Sequence, residues 1–277
     1  MAKKSSNRNL KYSLLAIGAV ILVFLILIIV RSPTTQNLNA SDSLAPSSLI
    51  NSITKLTNSF IQSIGTGTST AKPIPITGPN ISINGKPNIL YMGAEYCPYC
   101  ATERWPMVVA LTRFGSFSNL KITHSSTTDV YPDTQTFSFY KSTYTSPYIV
   151  FTPVEMYSNI AQGSGYSTLQ TPTSQQQSLM NTYDAPPYVP SANAGAIPFM
   201  YFNGKYLLTG ASYSPTSLQN KTAAQIASAL TNKNDPITQG VLGSANILTA
   251  VICSVTNNQP STVCTPTIKG IESTMSN

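Results

Sequence analysis

Charge is scarce in this chain. Asp, Glu, Lys and Arg make up 9% of its 277 residues, against about 25% in ordinary globular proteins. A folded part must therefore present Ser, Thr, Asn, Gln and Tyr to water. Such neutral hydrogen-bonding groups keep their character when carboxylates protonate, which suits a strongly acidic exterior or a glycan-coated one. The formal net charge is +7, but Lys3, Lys4, Arg8 and Lys11 cluster at the start. The other positives are scattered and form no stripe to track phosphates, so nucleic acid is not an expected partner. His124 is the only histidine. A Cys–His–acid constellation, and hydrolase chemistry with it, has no support. No internal repeat and no cofactor motif is present, and none is expected to be needed.

One long apolar run stands out. Tyr12 to Val30 is uncharged and long enough to cross a bilayer as a helix. The basic tail before it, residues 1–11, stays cytoplasmic by the positive-inside rule, and everything after Arg31 is expected outside. The run exceeds a signal-peptide core and no clear small-x-small site abuts it, which favours an uncleaved, single-pass anchor in the cell membrane. Residues 31–78 are rich in Ser, Thr, Asn and Pro. They read as a polar stalk with one modest amphipathic patch from Leu49 to Ile64.

Four cysteines remain. Their even number agrees with an oxidising compartment, and three pairings are possible by counting. Cys97-Pro98-Tyr99-Cys100 lies between an apolar strand-like run, Ile89 to Gly93, and a helical stretch reaching about Phe114. A helix start offers unpaired N–H groups and a partial positive charge, which favour a thiolate at Cys97. Cys100 lies one turn on, within reach of a mixed disulfide at Cys97. A zinc site completed by Cys253 and Cys264 fits poorly, because zinc motifs space their cysteines by about two to four residues. Cys253–Cys264 is expected to be a structural disulfide, and no metal site is expected.

Along the chain, Ile81 to Lys86 suggests a strand entering an Asn-Gly turn, with the next strand at Asn88 to Met92. Trp105, Val108, Val109 and Leu111 recur at helical spacing, with Pro106 among them. Leu120 to His124 is a strand candidate that would complete a β-α-β unit. Residues 129–195 are too long for a plain loop and suggest a structured insertion, with strand signals at 148–157 and a helix over 174–183. Its tyrosines read as packing and surface. Ala196 to Gly210 is a hairpin around Asn203-Gly204. A helix follows over 218–230, and another, from Ile237 to Val255, carries Cys253.

Taken together, these residues resemble the thioredoxin superfold. Cys97-Pro98-Tyr99-Cys100 is the dithiol motif of glutaredoxins, and Ile197-Pro198 before the hairpin is similar to that fold's cis-proline segment. Gly93 to Pro106 also resembles an archaeal, membrane-anchored family of unknown function, a likeness running from about Lys86 to Cys264. The resemblance implies an α/β, thioredoxin-like fold over 79–235 with the insertion before the cis-Pro strand, and a C-terminal helix and disulfide loop over 236–277. It implies Cys97 as exposed nucleophile, Cys100 as resolving thiol, and Ile197 and Pro198 as the substrate-binding edge. Two departures stand out. Tyr91 occupies the position of the buried acid of thioredoxins, and the Gly-Gly of glutathione-binding glutaredoxins is missing. Glu95 is the nearest acid and the candidate for proton transfer, its alternative being an exposed loop residue. The expected function is an extracytoplasmic protein disulfide oxidoreductase, working as oxidase, isomerase or reductase. Its expected partners are cysteine-containing secreted or surface proteins and a membrane redox protein. The alternative is a non-catalytic surface binding or structural protein on the same scaffold.

Overall fold

The expected stalk is, from residue 43 onward, part of the fold. The structure, a computed structural model, describes residues 43–275; the basic tail, the expected membrane anchor at 12–30 and residues 31–42 lie outside the described residues. Ser43–Leu44 (β1) pairs antiparallel with residues 121–122. Ser47–Thr54 (α1) and Asn58–Gln62 (α2) bury Leu49, Ile53, Ile61 and Ile64 in the main core. Helices this short are marginal alone, so packing holds them. Arg113 ties the segment down, its Nε donating to Asn58 Oδ1 at 3.0 Å and its Nη1 to Thr249 at 2.9 Å. A glycine permits a close crossing: a Cβ at Gly243 would lie 2.2 Å from the Thr66 carbonyl oxygen. Ile61→Ala is therefore expected to cost about 3 kcal/mol, as a buried Ile truncation does, and denaturant unfolding followed by the fluorescence of Trp105 measures it. A true stalk residue would show no change.

Ile74–Pro75 (β2) and Asn88–Gly93 (β3) enter the main sheet; between them, the strand expected at 81–86 is reduced to a single bridge, Ile83 to Lys86. Pro98–Leu111 (α3) follows β3 and runs through Pro106. Four short strands come next: Ser116–Ser118 (β4), Lys121–His124 (β5), Gln135–Ser138 (β6) and Thr143–Thr145 (β7). The strand that completes β-α-β is not β5, as the sequence suggested, but Val150–Glu155 (β8), parallel to β3 over six pairs from Asn88↔Val150 to Gly93↔Glu155. β5 instead joins β1 and β6 in a separate sheet, which its half-buried Lys-Ile-Thr-His pattern suits. The insertion expected at 129–195 thus contains a strand of the main sheet. Pro153 is tolerated in β8 because β8 is an edge.

Tyr157–Gln162 (β9) and Gly165–Thr168 (β10) form a hairpin of their own, and Ser174–Tyr183 (α4) starts on a Thr173/Gln176 capping box. Phe199–Phe202 (β11) and Tyr206–Thr209 (β12) are joined at Asn203-Gly204, both with positive φ, as a two-residue hairpin turn demands. The main sheet has the order β2-β12-β11-β3-β8. Its central strands β3 and β11 are buried on both faces, hence their largely apolar runs. Ile89, Tyr91, Met200, Phe202 and Leu208 face one core; Leu90, Met92, Phe199, Tyr201 and Leu207 face a second, which α4 covers with Leu179, Met180 and Tyr183.

Ala223–Ala229 (α5) is shorter than the helix expected over 218–230, because residues 215–218 form a 3₁₀ turn and Thr222 caps a fresh start. Pro236–Val255 (α6) is capped by Asp235 and packs along α3 in the main core, and Pro266–Met275 (α7) packs on α6. The helix and disulfide loop expected over 236–277 pack into the same main core. Among the described residues α6 alone is long and apolar enough to cross a membrane, yet 89% of that stretch is buried within the protein. It is a core helix. The result is a mixed α/β protein with helices on both faces of its main sheet.

Candidate active site

β11 runs antiparallel to β3, with Phe199 opposite Met92. The start of β11 therefore lies beside the end of β3, where the chain turns into α3. This register brings Pro198 to Cys97, which are about a hundred residues apart in sequence. Ile197–Pro198 is cis, and the Ile197 carbonyl oxygen accepts from Cys97 Sγ at 3.6 Å. Cys97 is the N-cap of α3, its Sγ accepting the Cys100 N–H at 3.3 Å, and Pro98 fills the first helical position, where its missing N–H costs nothing.

Both thiols are free, whereas Cys253 and Cys264 are disulfide-bonded. Cys97 is 5% exposed and Cys100 fully buried. The nucleophile expected to be exposed is thus largely covered, with the Ile197 carbonyl against it. The two sulfurs differ in acidity. Cys97 is held below the ordinary thiol range chiefly by a hydrogen bond from the Cys100 side chain, against the opposing effect of burial. The Cys100 N–H and the Arg104 charge add to the lowering. Burial pushes Cys100 well up, and its bond to Cys97 pushes it further. Cys97 is thus the more acidic thiol and Cys100 the one that holds its proton more tightly.

Behind the thiols sits a buried ion pair that sequence reasoning missed. Arg104 donates from Nε to Glu155 Oε1 at 2.8 Å and from Nη2 to Glu155 Oε2 at 2.6 Å, both side chains fully buried. Nη2 also donates to the Ala94 carbonyl at 2.7 Å, and Glu155 Oε1 takes the Phe139 N–H. One arginine thus ties α3, β8 and the loop before Cys97 together. A Glu-Arg pair inside an apolar helix, in a chain so poor in charge, was the available signal. Tyr91 has its ring 5.9 Å from the Arg104 guanidinium carbon and a buried hydroxyl without a hydrogen-bond partner. Burial keeps this phenol protonated.

Glu95 is 1% exposed, not an exposed loop residue; its carboxylate takes the Ser138 hydroxyl and its N–H bonds the Tyr157 carbonyl. Glu103 faces away into the core, where the Ser212 N–H and hydroxyl reach it at 2.7 and 2.9 Å. His124, at the end of β5, bonds its neighbour's carbonyl and lies 3.2 Å from Asp133. Among the described residues no three His, Cys, Asp or Glu side chains gather as a metal site would need.

Fold and site together define a mixed α/β protein with a reduced dithiol at a helix start. The chain belongs to the family described as a domain of unknown function, DUF929, whose model matches residues 72–254. That span holds the dithiol, Pro198 and the Arg104–Glu155 pair. No curated protein and no solved structure matches the chain.

Proposed function

We propose that this protein is a thioredoxin-like thiol–disulfide oxidoreductase, anchored in the membrane by residues 12–30 and acting outside the cell membrane on cysteines of secreted or surface proteins. The observation that carries the reading is the placing of Cys97 Sγ at the N-cap of α3, 3.6 Å from the carbonyl of the cis Ile197–Pro198 bond. In the reductive direction, the Cys97 thiolate attacks a substrate disulfide. A Cys97–substrate bond forms and the other substrate sulfur leaves as thiolate. Cys100 then gives up its proton and attacks Cys97, closing Cys97–Cys100 and freeing the second substrate thiolate. Oxidation is the same sequence reversed. Two electrons must be exchanged with a partner, for which a membrane redox protein is the natural class. Ile197 and Pro198 offer the backbone edge along which an extended substrate strand pairs.

The small exposure of Cys97 favours a second reading, a non-catalytic surface or structural protein with an idle dithiol. Trapping decides between them. In Cys100→Ser the resolving step is lost, and disulfide-linked complexes are expected to accumulate on Cys97, visible on non-reducing gels and absent in Cys97→Ser. If Cys100→Ser folds normally and captures no partner or model disulfide, the idle scaffold is the better account.

A further inference from the structure

The tyrosines of the inserted segments do more than pack. Three of them, Tyr131, Tyr157 and Tyr166, pack on Tyr96 and Tyr99, the two tyrosines beside Cys97. Tyr96 and Tyr99 bracket it in sequence. Tyr166 on β10 stacks on Tyr96 with centroids 4.3 Å apart and planes within 7°, and Tyr157 on β9 approaches the same ring at 6.3 Å. Tyr131, between β5 and β6, meets Tyr99 edge-on at 5.9 Å. Hydrogen bonds fix these rings to the segment that carries the dithiol. The Ser126 N–H donates to the Tyr96 carbonyl and the Glu95 N–H to the Tyr157 carbonyl, each at 2.8 Å. The Tyr166 hydroxyl donates to Ser126 Oγ at 2.6 Å.

This rim is also where apolar surface is left in water. Tyr99 is 41% exposed, Tyr157 40% and Val130, beside Tyr131, 64%; they are half of the large apolar side chains exposed to this degree among the described residues. Concentrated apolar exposure marks interaction surfaces, and tyrosine gives contact area at small entropic cost. The rim also selects by shape. Cys97, 5% exposed beside these rings, is poorly accessible to a cysteine on a convex folded surface. An extended segment can thread to it and pair along Ile197. The collar carries no Lys or Arg, and Asp129 beside Val130 disfavours acidic flanks.

We propose that the tyrosine collar selects the substrate: an extended, unfolded polypeptide whose cysteine is flanked by apolar or aromatic side chains. This rests on the oxidoreductase reading above. The test uses the full chain carrying Cys100→Ser and short peptides, each with one cysteine activated as a thionitrobenzoate disulfide. Cys97 thiolate attacks the peptide sulfur, the Cys97–peptide disulfide forms, and thionitrobenzoate departs with the electron pair and is read by absorbance. A peptide with Leu and Phe beside its cysteine is expected to react about tenfold faster than one with Ser and Asp there, the effect of burying about one apolar side chain. In Tyr157→Ser with Tyr131→Ser that ratio is expected to fall towards one. Equal rates for the two peptides on the intact collar overturn the inference, and so does a ratio unchanged by the collar variants. A Cys97 that reacts with neither peptide, nor with the same activated disulfide of 2-mercaptoethanol, overturns the oxidoreductase reading and this inference with it.

Discussion

Glu155→Gln is expected to destabilise the protein by about 3–5 kcal/mol, the usual consequence of leaving a buried ion without its partner. Arg104 and Glu155 are fully buried and joined by two charge-assisted hydrogen bonds. A neutral amide still accepts one N–H but no longer balances the guanidinium. Arg104 Nη1 already lacks a hydrogen-bond partner, so the site has no spare acceptor to offer. Replacing both residues, Arg104→Met with Glu155→Leu, is expected to recover most of that loss, since an apolar pair of similar volume avoids the desolvation of both ions. Guanidinium unfolding read by the fully buried Trp105 gives both numbers. A double variant as unstable as the single one would mean that hydrogen bonds to Ala94 and Phe139, rather than charge balance, hold this part of the fold. The double variant also removes the one buried cation that lowers both thiols. Its Cys97 is therefore expected to alkylate more slowly at acid pH.

The second large effect is on pH. Burial pushes the Glu103 carboxyl up to about 8, with the Ser212 N–H and hydroxyl offsetting part of that rise. In the unfolded chain the same group titrates near about 4.3. Between these values the folded protein keeps a proton that the unfolded chain has released. The folded state is then the one that binds more protons, so stability rises as pH falls. The contribution is lost as pH rises from about 4.3 to about 8 and is constant outside that window. From pH 7 down to pH 4 the gain is on the order of 4 kcal/mol. Glu103→Gln, which stays neutral throughout, is expected to flatten the stability profile across the window. A wild-type profile that falls towards pH 4, with no difference in Glu103→Gln, would show that Glu103 is ionised in the folded state. The expected gain fits a chain whose surface is mostly uncharged, as an acidic exterior would favour.

What could be read from the residues was local. Cys97-Pro98-Tyr99-Cys100 between an apolar strand and a helix, the Asn203-Gly204 hairpin, the helix over 174–183 and α6 each declare themselves through periodicity or turn chemistry within a few residues. The amphipathic patch from Leu49 to Ile64 was visible too, but its partner was not. Helices of eight and five residues gain their stability from the surface they cover, and nothing nearby in the chain names that surface. β5 and β8 show the same limit: both are strands by composition, and pairing alone decides which one lies beside β3.

By itself the sequence determined the chemistry available: two thiols at the mouth of a helix, a third and fourth cysteine elsewhere, hardly any charge, and a proline ready to lead a strand. Only the tertiary structure decided which groups act on those thiols. Arg104 and Glu155 are 51 residues apart, Cys97 and Ile197 are 100, and the tyrosines come from three separate segments. Short-range patterns fix where a helix or strand forms, whereas electrostatic and apolar surroundings depend on distances in space that only the packed sheet creates.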